Sequence, residues 1–111
     1  MKKKEIIKES RDFSKIINKK VSIYNKYYSI YYQKSEELKF GITVPTKTGK
    51  AVIRNKLKRQ VKSIIDNNKN SIKNNYNYVI IIRKEILELT YIEKEKELIT
   101  LLKKIGEKDE K

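Results

Sequence analysis

"FGITVPTKTGKAVIRNKLKRQVKSII", residues 40–65, decides how this chain folds. Its opening, Phe40 to Pro45, reads as an extended run that Pro45 ends. From Ala51 the period changes. On a helical wheel Ile53, Leu57, Val61, Ile64 and Ile65 fall in one arc of about 120°, the stripe of a helix that packs on something. Gly49 stands just before it and lets the chain turn sharply into the helix. Beyond the helix lies "YNYVIIIRK", residues 76–84, whose continuous Tyr78–Ile82 core predicts a strand buried on both faces. Strand, helix and buried strand in that order imply a crossover connection, with helices stacked on a sheet. The expected class is α+β, a two-layer α/β sandwich.

Working outward, "SRDFSKIIN" (10–18) predicts a short amphipathic helix, capped by Ser10 and carrying Phe13, Ile16 and Ile17 at helical spacing. "VSIYNKYYSIYY" (21–32) is β-branched and aromatic throughout and predicts a strand. In that strand's phase Tyr27 and Tyr31 share one face, while Tyr28, Ile30 and Tyr32 share the other, the core side. "SEELK" makes a polar turn, and the Asn-rich "DNNKNSIKNN" (66–75) a surface loop. "TYIEKEKELITLLKKIG" (90–106) predicts the last helix. Thr90 and Glu93 form a capping box, Ile92, Leu98, Leu101, Leu102 and Ile105 a stripe, and Gly106 a stop.

The 111 residues amount to one domain, 1–111, with an ordered core expected over about 10–106 between a short basic N-terminal tail and a charged C-terminal one. There is no cysteine, hence no disulfide, thiolate zinc site or iron–sulfur ligation. No apolar run approaches the roughly 18 residues of a membrane span, and the lysine-rich start lacks the apolar region of a secretory signal. A cytoplasmic protein with no membrane partner is the simplest reading.

The formal charge of +14 is concentrated. Residues 13–84 hold 17 Lys/Arg against three acids, Glu36, Glu37 and Asp66, and so carry the whole of it. An AT-rich coding bias explains lysine, but it supplies glutamate equally well. A polyanionic partner accounts for the missing acids. On the helix after Gly49, Lys50, Arg54, Lys58 and Lys62 lie in one i, i+4 row, with Lys56 and Arg59 beside them and Asn55 amid the basic surface. Solvated helix faces usually alternate sign, because like charges at i, i+4 oppose the helix by a few tenths of a kcal/mol per pair. Phosphates would neutralise this row. Arg54 and Arg59 offer planar forks to phosphate oxygens, and Asn55 an amide able to read a base or ribose edge.

Catalytic groups are scarce. Without His or Cys there is neither imidazole acid–base chemistry nor a thiolate nucleophile. Glu93, Glu95 and Glu97 alternate with lysines as on a solvated face, so no metal site of the protein's own is expected. "TGKA" is not a phosphate-binding P-loop, since Val44 stands where the motif needs its first glycine and Ala51 where it needs Ser or Thr. A stand-alone nuclease is therefore disfavoured. A helix-turn-helix DNA-binding protein is too, because the apolar strands leave no helix pair to dock a recognition helix. If the protein takes part in phosphodiester chemistry, something else supplies the active site, and a structural ribosomal or ribosome-assembly RNA-binding protein stays open as the alternative.

"KTGKAVIRNKLKRQVKSII" resembles the signature of the bacterial ribonuclease P protein subunit: a lysine, a glycine, Ala-Val, then the Arg-Asn pair and Lys-Arg of the family's "RNR" motif. "DFSKII" is similar to its first helix, "FGITV" to its Gly-hydrophobic-Val strand, and "YVIIIRK" with "LTYIEKEKELITLLKK" to its final strand and helix. Lys56 stands where arginine is commoner, Ile17 for a frequent second aromatic, Lys20 for a glycine, and Pro45-Thr46 for Ser-Lys. The resemblance implies a four-stranded sheet packed by three helices, with a left-handed βαβ crossover of the ribosomal protein S5 domain 2 type. It implies that Lys47, Lys50, Arg54, Asn55, Lys56, Lys58, Arg59 and Lys62 bind the catalytic RNA subunit. A groove with Phe13, Lys15, Ile17, Tyr27 and Tyr31 would hold the single-stranded 5′ leader of precursor tRNA. RNA and Mg²⁺, the ion bound mainly by RNA and substrate, would perform the hydrolysis, and the protein alone would have no catalytic residues.

Overall fold

The computed structural model of the chain describes residues 6–7, 15–17 and 21–109, with side chains described up to residue 106. A helical turn at 15–17 (α1) is followed by strands β1 (Ser22–Tyr24), β2 (Tyr28–Lys34) and β3 (Lys39–Thr43). Then come helix α2 (Ala51–Asn67), strand β4 (Tyr76–Ile82) and helix α3 (Tyr91–Asp109). The strands form one sheet in the order β1-β2-β4-β3. β1 and β2 pair antiparallel, as do β2 and β4, and only β3 and β4 run parallel. A parallel pair cannot be closed by a tight turn, and α2 supplies the crossover that the sequence implied.

The stretch 21–32 is two strands rather than one. The Asn25 side-chain oxygen accepts hydrogen bonds from the backbone N–H of Tyr27 (2.8 Å) and of Tyr28 (2.9 Å), and the Asn25 N–H donates to the Tyr28 carbonyl (2.9 Å). That local bonding competes with the ladder and folds the run into a hairpin. Ser22 then lies opposite Tyr31 and Tyr24 opposite Ser29.

One face of the sheet carries the main core. Tyr28 and Ile30 of β2, Phe40 of β3, and Tyr78, Ile80 and Ile82 of β4 pack against Leu57, Val61, Ile64 and Ile65 of α2 and Leu98, Leu101, Leu102 and Ile105 of α3. Phe40 and Tyr78 stack with centroids 5.3 Å apart. The Tyr28 hydroxyl donates to the Lys94 carbonyl at 3.0 Å, and burial, with Glu97 nearby, pushes its pKa well above the ordinary phenol value. The other face has a thinner cluster, in which Ile7, Ile16 and Val79 are buried and Ile17, Tyr31 and Ile81 pack against them. β4 is thus covered on both sides, as its apolar run predicted.

The helix signals met mixed outcomes. The capping box is formed, with Thr90 N–H on Glu93 Oε1 (2.9 Å) and Glu93 N–H on Thr90 Oγ1 (3.3 Å). These bonds hold the Glu93 carboxyl below the usual range. Gly106 does not stop α3, which runs on to Asp109. Ile92 is not in the stripe but 76% exposed. On the wheel it lies about 120° from Leu98, whereas position 94, one turn before Leu98, faces inward and is filled by Lys94. Ile53 is 38% exposed, in a first turn of α2 whose residues 51–53 are all exposed, and its side chain lies back on Gly49.

Candidate nucleic-acid interface

Lys50 stands at the N-cap of helix α2 and makes no side-chain cap, and the helix has no acidic residue in its first turn. The positive end of the helix dipole therefore coincides with Lys50 and Arg54, an arrangement favourable only toward an anion. Arg54 is half-buried, and its Nε donates to the Gly49 carbonyl at 3.1 Å, which fixes the guanidinium beside the helix start. Further along, Asn55, Lys58, Arg59 and Lys62, with Val52, line a shallow hollow on the outward face. Among the described residues none of the cations on this helix is paired with a carboxylate.

The sequence-derived basic set divides by position. Lys50 and Arg54 mark the helix start, and Asn55, Lys58, Arg59 and Lys62 gather at the hollow. Lys56 lies on the flank toward α3, where its charge acts on Lys94. Lys47 is not on the helix at all. It sits in the single turn Thr46–Thr48 and lines a separate cleft with Ser29, Ile81, Arg83 and Lys84.

The second expected region, on the thin face of the sheet, is partly assembled. Tyr31 and Ile17 are half-buried in the cluster around Val79 and Ile16, and Lys15 beside them is exposed. Phe13 lies outside the described residues. Tyr27 does not join this group. The Asn25 turn takes it out of strand phase, and it packs against the main core on the opposite face, its ring 5.9 Å from the Lys26 ammonium.

Three residues that the sequence reading passed over complete the end of this face. Arg83 donates from Nε (3.2 Å) and Nη2 (2.8 Å) to Ser29 Oγ, and its guanidinium lies 5.6 Å from the ring centre of Tyr24. Tyr24 is 69% exposed. Arg83 continues the alternation Asn77, Val79, Ile81 of β4, so the period of two already assigned it to this face.

The geometry defines an α+β protein with two features suited to a nucleic-acid backbone: a cationic helix without carboxylate partners among the described residues on one layer, and a cation-edged aromatic face on the other. Comparisons with known proteins sharpen that class. The model of the Ribonuclease P family matches residues 1–106. The ribonuclease P protein component of Mycoplasma capricolum is 45% identical over 108 residues, covering 95% of this chain and 99% of that protein. The RNase P protein of Thermotoga maritima superposes with a TM-score of 0.83 at 34% identity, covering 90% of this chain and 96% of that one. A Staphylococcus aureus RNase P protein mutant superposes with a TM-score of 0.87 at 28% identity, covering 94% of this chain and 90% of that one. The chain belongs to the ribonuclease P protein family. It is the protein subunit of an endoribonuclease, in partnership with a ribonuclease P RNA, and not a structural ribosomal protein.

Proposed function

We propose that the chain binds the catalytic RNA through α2 and the single-stranded 5′ leader of precursor tRNA through the thin face of the sheet. The observation that carries the reading is the helix itself: Lys50, Arg54, Lys58, Arg59 and Lys62 are held on one element with no carboxylate partner among the described residues. Phosphates are the anions that such a row suits, and release of their counterions on binding supplies the affinity.

The division of labour follows from the side chains. Lysines and arginines of α2 neutralise backbone charge, while Asn55 in the hollow offers an amide to a base or ribose edge. On the other layer, Tyr31 presents a ring to a splayed base, and Lys15, Arg83 and Lys84 edge the path with positive charge. The chain contributes no imidazole or thiolate. Hydrolysis is accordingly assigned to the RNA, with Mg²⁺ bound mainly by RNA and substrate. The protein binds and positions. A cytoplasmic location goes with this role.

The test is cleavage of a precursor tRNA by a bacterial ribonuclease P RNA at low Mg²⁺, with and without the protein. The protein should restore cleavage that the RNA alone supports poorly, and by itself should cut nothing. No gain on adding the protein, or cutting at the mature 5′ end by RNA-free protein, would defeat the reading.

A further inference from the structure

The α3 stripe has a lysine where its first inward turn calls for an apolar residue. Lys94 precedes Leu98 by one turn and is only 9% exposed. Its ammonium donates to Gln60 Oε1 on α2 at 2.9 Å. No carboxylate meets it among the described residues, although three glutamates surround it in sequence. Glu93 is taken by Thr90, the Glu95 carboxylate accepts from Asn68 Nδ2 (3.1 Å), and that of Glu97 accepts from Asn25 Nδ2 (3.1 Å). The nearest acids are turned to other work.

Lys56 lies one turn before Gln60 on the same helix. Burial and then the Lys56 charge hold the Lys94 ammonium below its ordinary pKa. The Lys94–Gln60 bond joins α3 to α2, and the exposed Lys56 puts a second positive charge on the same side of α2. An ammonium has three donors, and Gln60 accepts from one of them. Leaving a largely covered cation so poorly compensated costs stability, whereas an apolar side chain of the same length would fit the stripe.

We propose that Lys94, Lys56 and Gln60 form a second phosphate subsite on the α2–α3 edge, which takes one backbone phosphate of the RNA bound by α2. A phosphate oxygen accepts charge-assisted bonds from both ammonium groups and removes their mutual repulsion. The Gln60 amide nitrogen is a further donor. Lys56 and Gln60 lie about 100° around α2 from Asn55 and Arg59. A strand crossing the helix toward α3 therefore leaves the hollow of Asn55, Lys58, Arg59 and Lys62 and meets this edge next. The inference rests on the reading of α2 as the RNA-binding helix.

The experiment measures affinity of the full-length protein for a bacterial ribonuclease P RNA between 50 and 200 mM salt, alongside thermal unfolding. The variants are Lys94→Met, Lys94→Arg, Lys56→Met, the double Lys56→Met/Lys94→Met, and Arg59→Ala as a control on the hollow. Lys94→Met should unfold at the same or a higher temperature yet lower the salt slope by about 0.7 to 0.9, one phosphate's share. Its loss of affinity should then be roughly threefold larger at the low-salt end than at the high-salt end. Lys94→Arg should keep the slope. The double variant should lose less than the sum of the singles, because both groups serve one phosphate. If Lys94→Met is poorly folded, Lys56→Met reads out the same slope from an exposed position. Unchanged affinity and slope in Lys94→Met and Lys56→Met, with Arg59→Ala impaired, would overturn the subsite and leave the helix reading intact. Unchanged binding in Arg59→Ala as well would remove the helix reading, and the subsite with it.

Discussion

Tyr28 and Ile30 of β2 point toward α2 and α3 and are fully buried, while Ser29 and Tyr31, each one residue along, turn to the other face and remain half-buried. The same contrast runs along β4, where Tyr78, Ile80 and Ile82 enter the main core and Asn77 and Ile81 do not. The first face is closed by two long helices. The second is covered, among the described residues, by Ile7 and the turn at 15–17, and it is edged by Lys15, Lys47, Arg83 and Lys84. Strand alternation lets a short chain use one sheet twice. One phase packs against two long helices and carries the main core, and the other holds a thinner cluster around Val79 and leaves Ser29, Tyr31 and Ile81 half-buried.

The sharpest way to break this contrast is to exchange neighbours. Ile30→Ala should destabilise the protein by about 2–5 kcal/mol, since it empties a fully buried site between sheet and helices. Denaturant unfolding measures it. A loss below 1 kcal/mol would mean that the helix-covered face is not the one that holds the fold. Tyr31→Ala, one residue on, should cost less stability than Ile30→Ala, because the ring is only half-buried in the thinner cluster, and should act on substrate. Base–aromatic stacking is worth roughly 1–3 kcal/mol per base. The assembled enzyme should thus lose affinity for leader-bearing precursor tRNA and keep it for mature tRNA. Equal losses for the two tRNAs would reduce Tyr31 to a packing residue.

These assignments differ in how plainly the sequence showed them. Leu57, Val61, Ile64 and Ile65 were legible because helical period and burial coincide over several turns. The Thr90–Glu93 box was legible because its chemistry is local. Tyr27 was not. Its place depended on whether "IYNKYY" continues a strand, and the Asn25 side chain settles that by bonding two backbone N–H groups. Ile92 misled for a related reason, since hydrophobicity named it while the angle to Leu98 excluded it. The basic residues of α2 could be named as a set, but their division between the hollow, the helix start and the α3 flank depends on how α2 lies against its neighbours.

On the other layer, Arg54→Ala/Arg59→Ala should leave the unfolding temperature nearly unchanged and weaken association with the RNA subunit. If each guanidinium meets one phosphate, the salt slope should fall by roughly 1.4 to 1.8. The comparison is broken if precursor and mature tRNA are then discriminated differently while affinity for the RNA subunit is untouched. That would place leader binding on α2 rather than on the thin face.

The smallest expected effect tests the edge of that face. Arg83 is exposed, bonds twice to Ser29 Oγ and lies over the Tyr24 ring, so it ties β1, β2 and the end of β4 together. An exposed cation–π contact is worth about 0.5–1 kcal/mol, which limits what Arg83→Ala can cost in stability. Arg83→Lys keeps the charge but loses the fork that spans Ser29 and the flat group that stacks on Tyr24. If Arg83 serves the leader through its charge, Arg83→Lys should bind precursor tRNA like the parent, and Arg83→Ala should bind it a few-fold more weakly at low salt. If it serves by holding the strand ends in register, both variants should be impaired alike, and the loss should not change with salt. Tyr24→Leu separates these further, because it removes the ring and leaves the cation free to meet a phosphate. Unchanged precursor affinity in Tyr24→Leu, with a salt-dependent loss in Arg83→Ala, would make the end of β4 part of the binding face. A salt-independent loss in all three would return it to the fold.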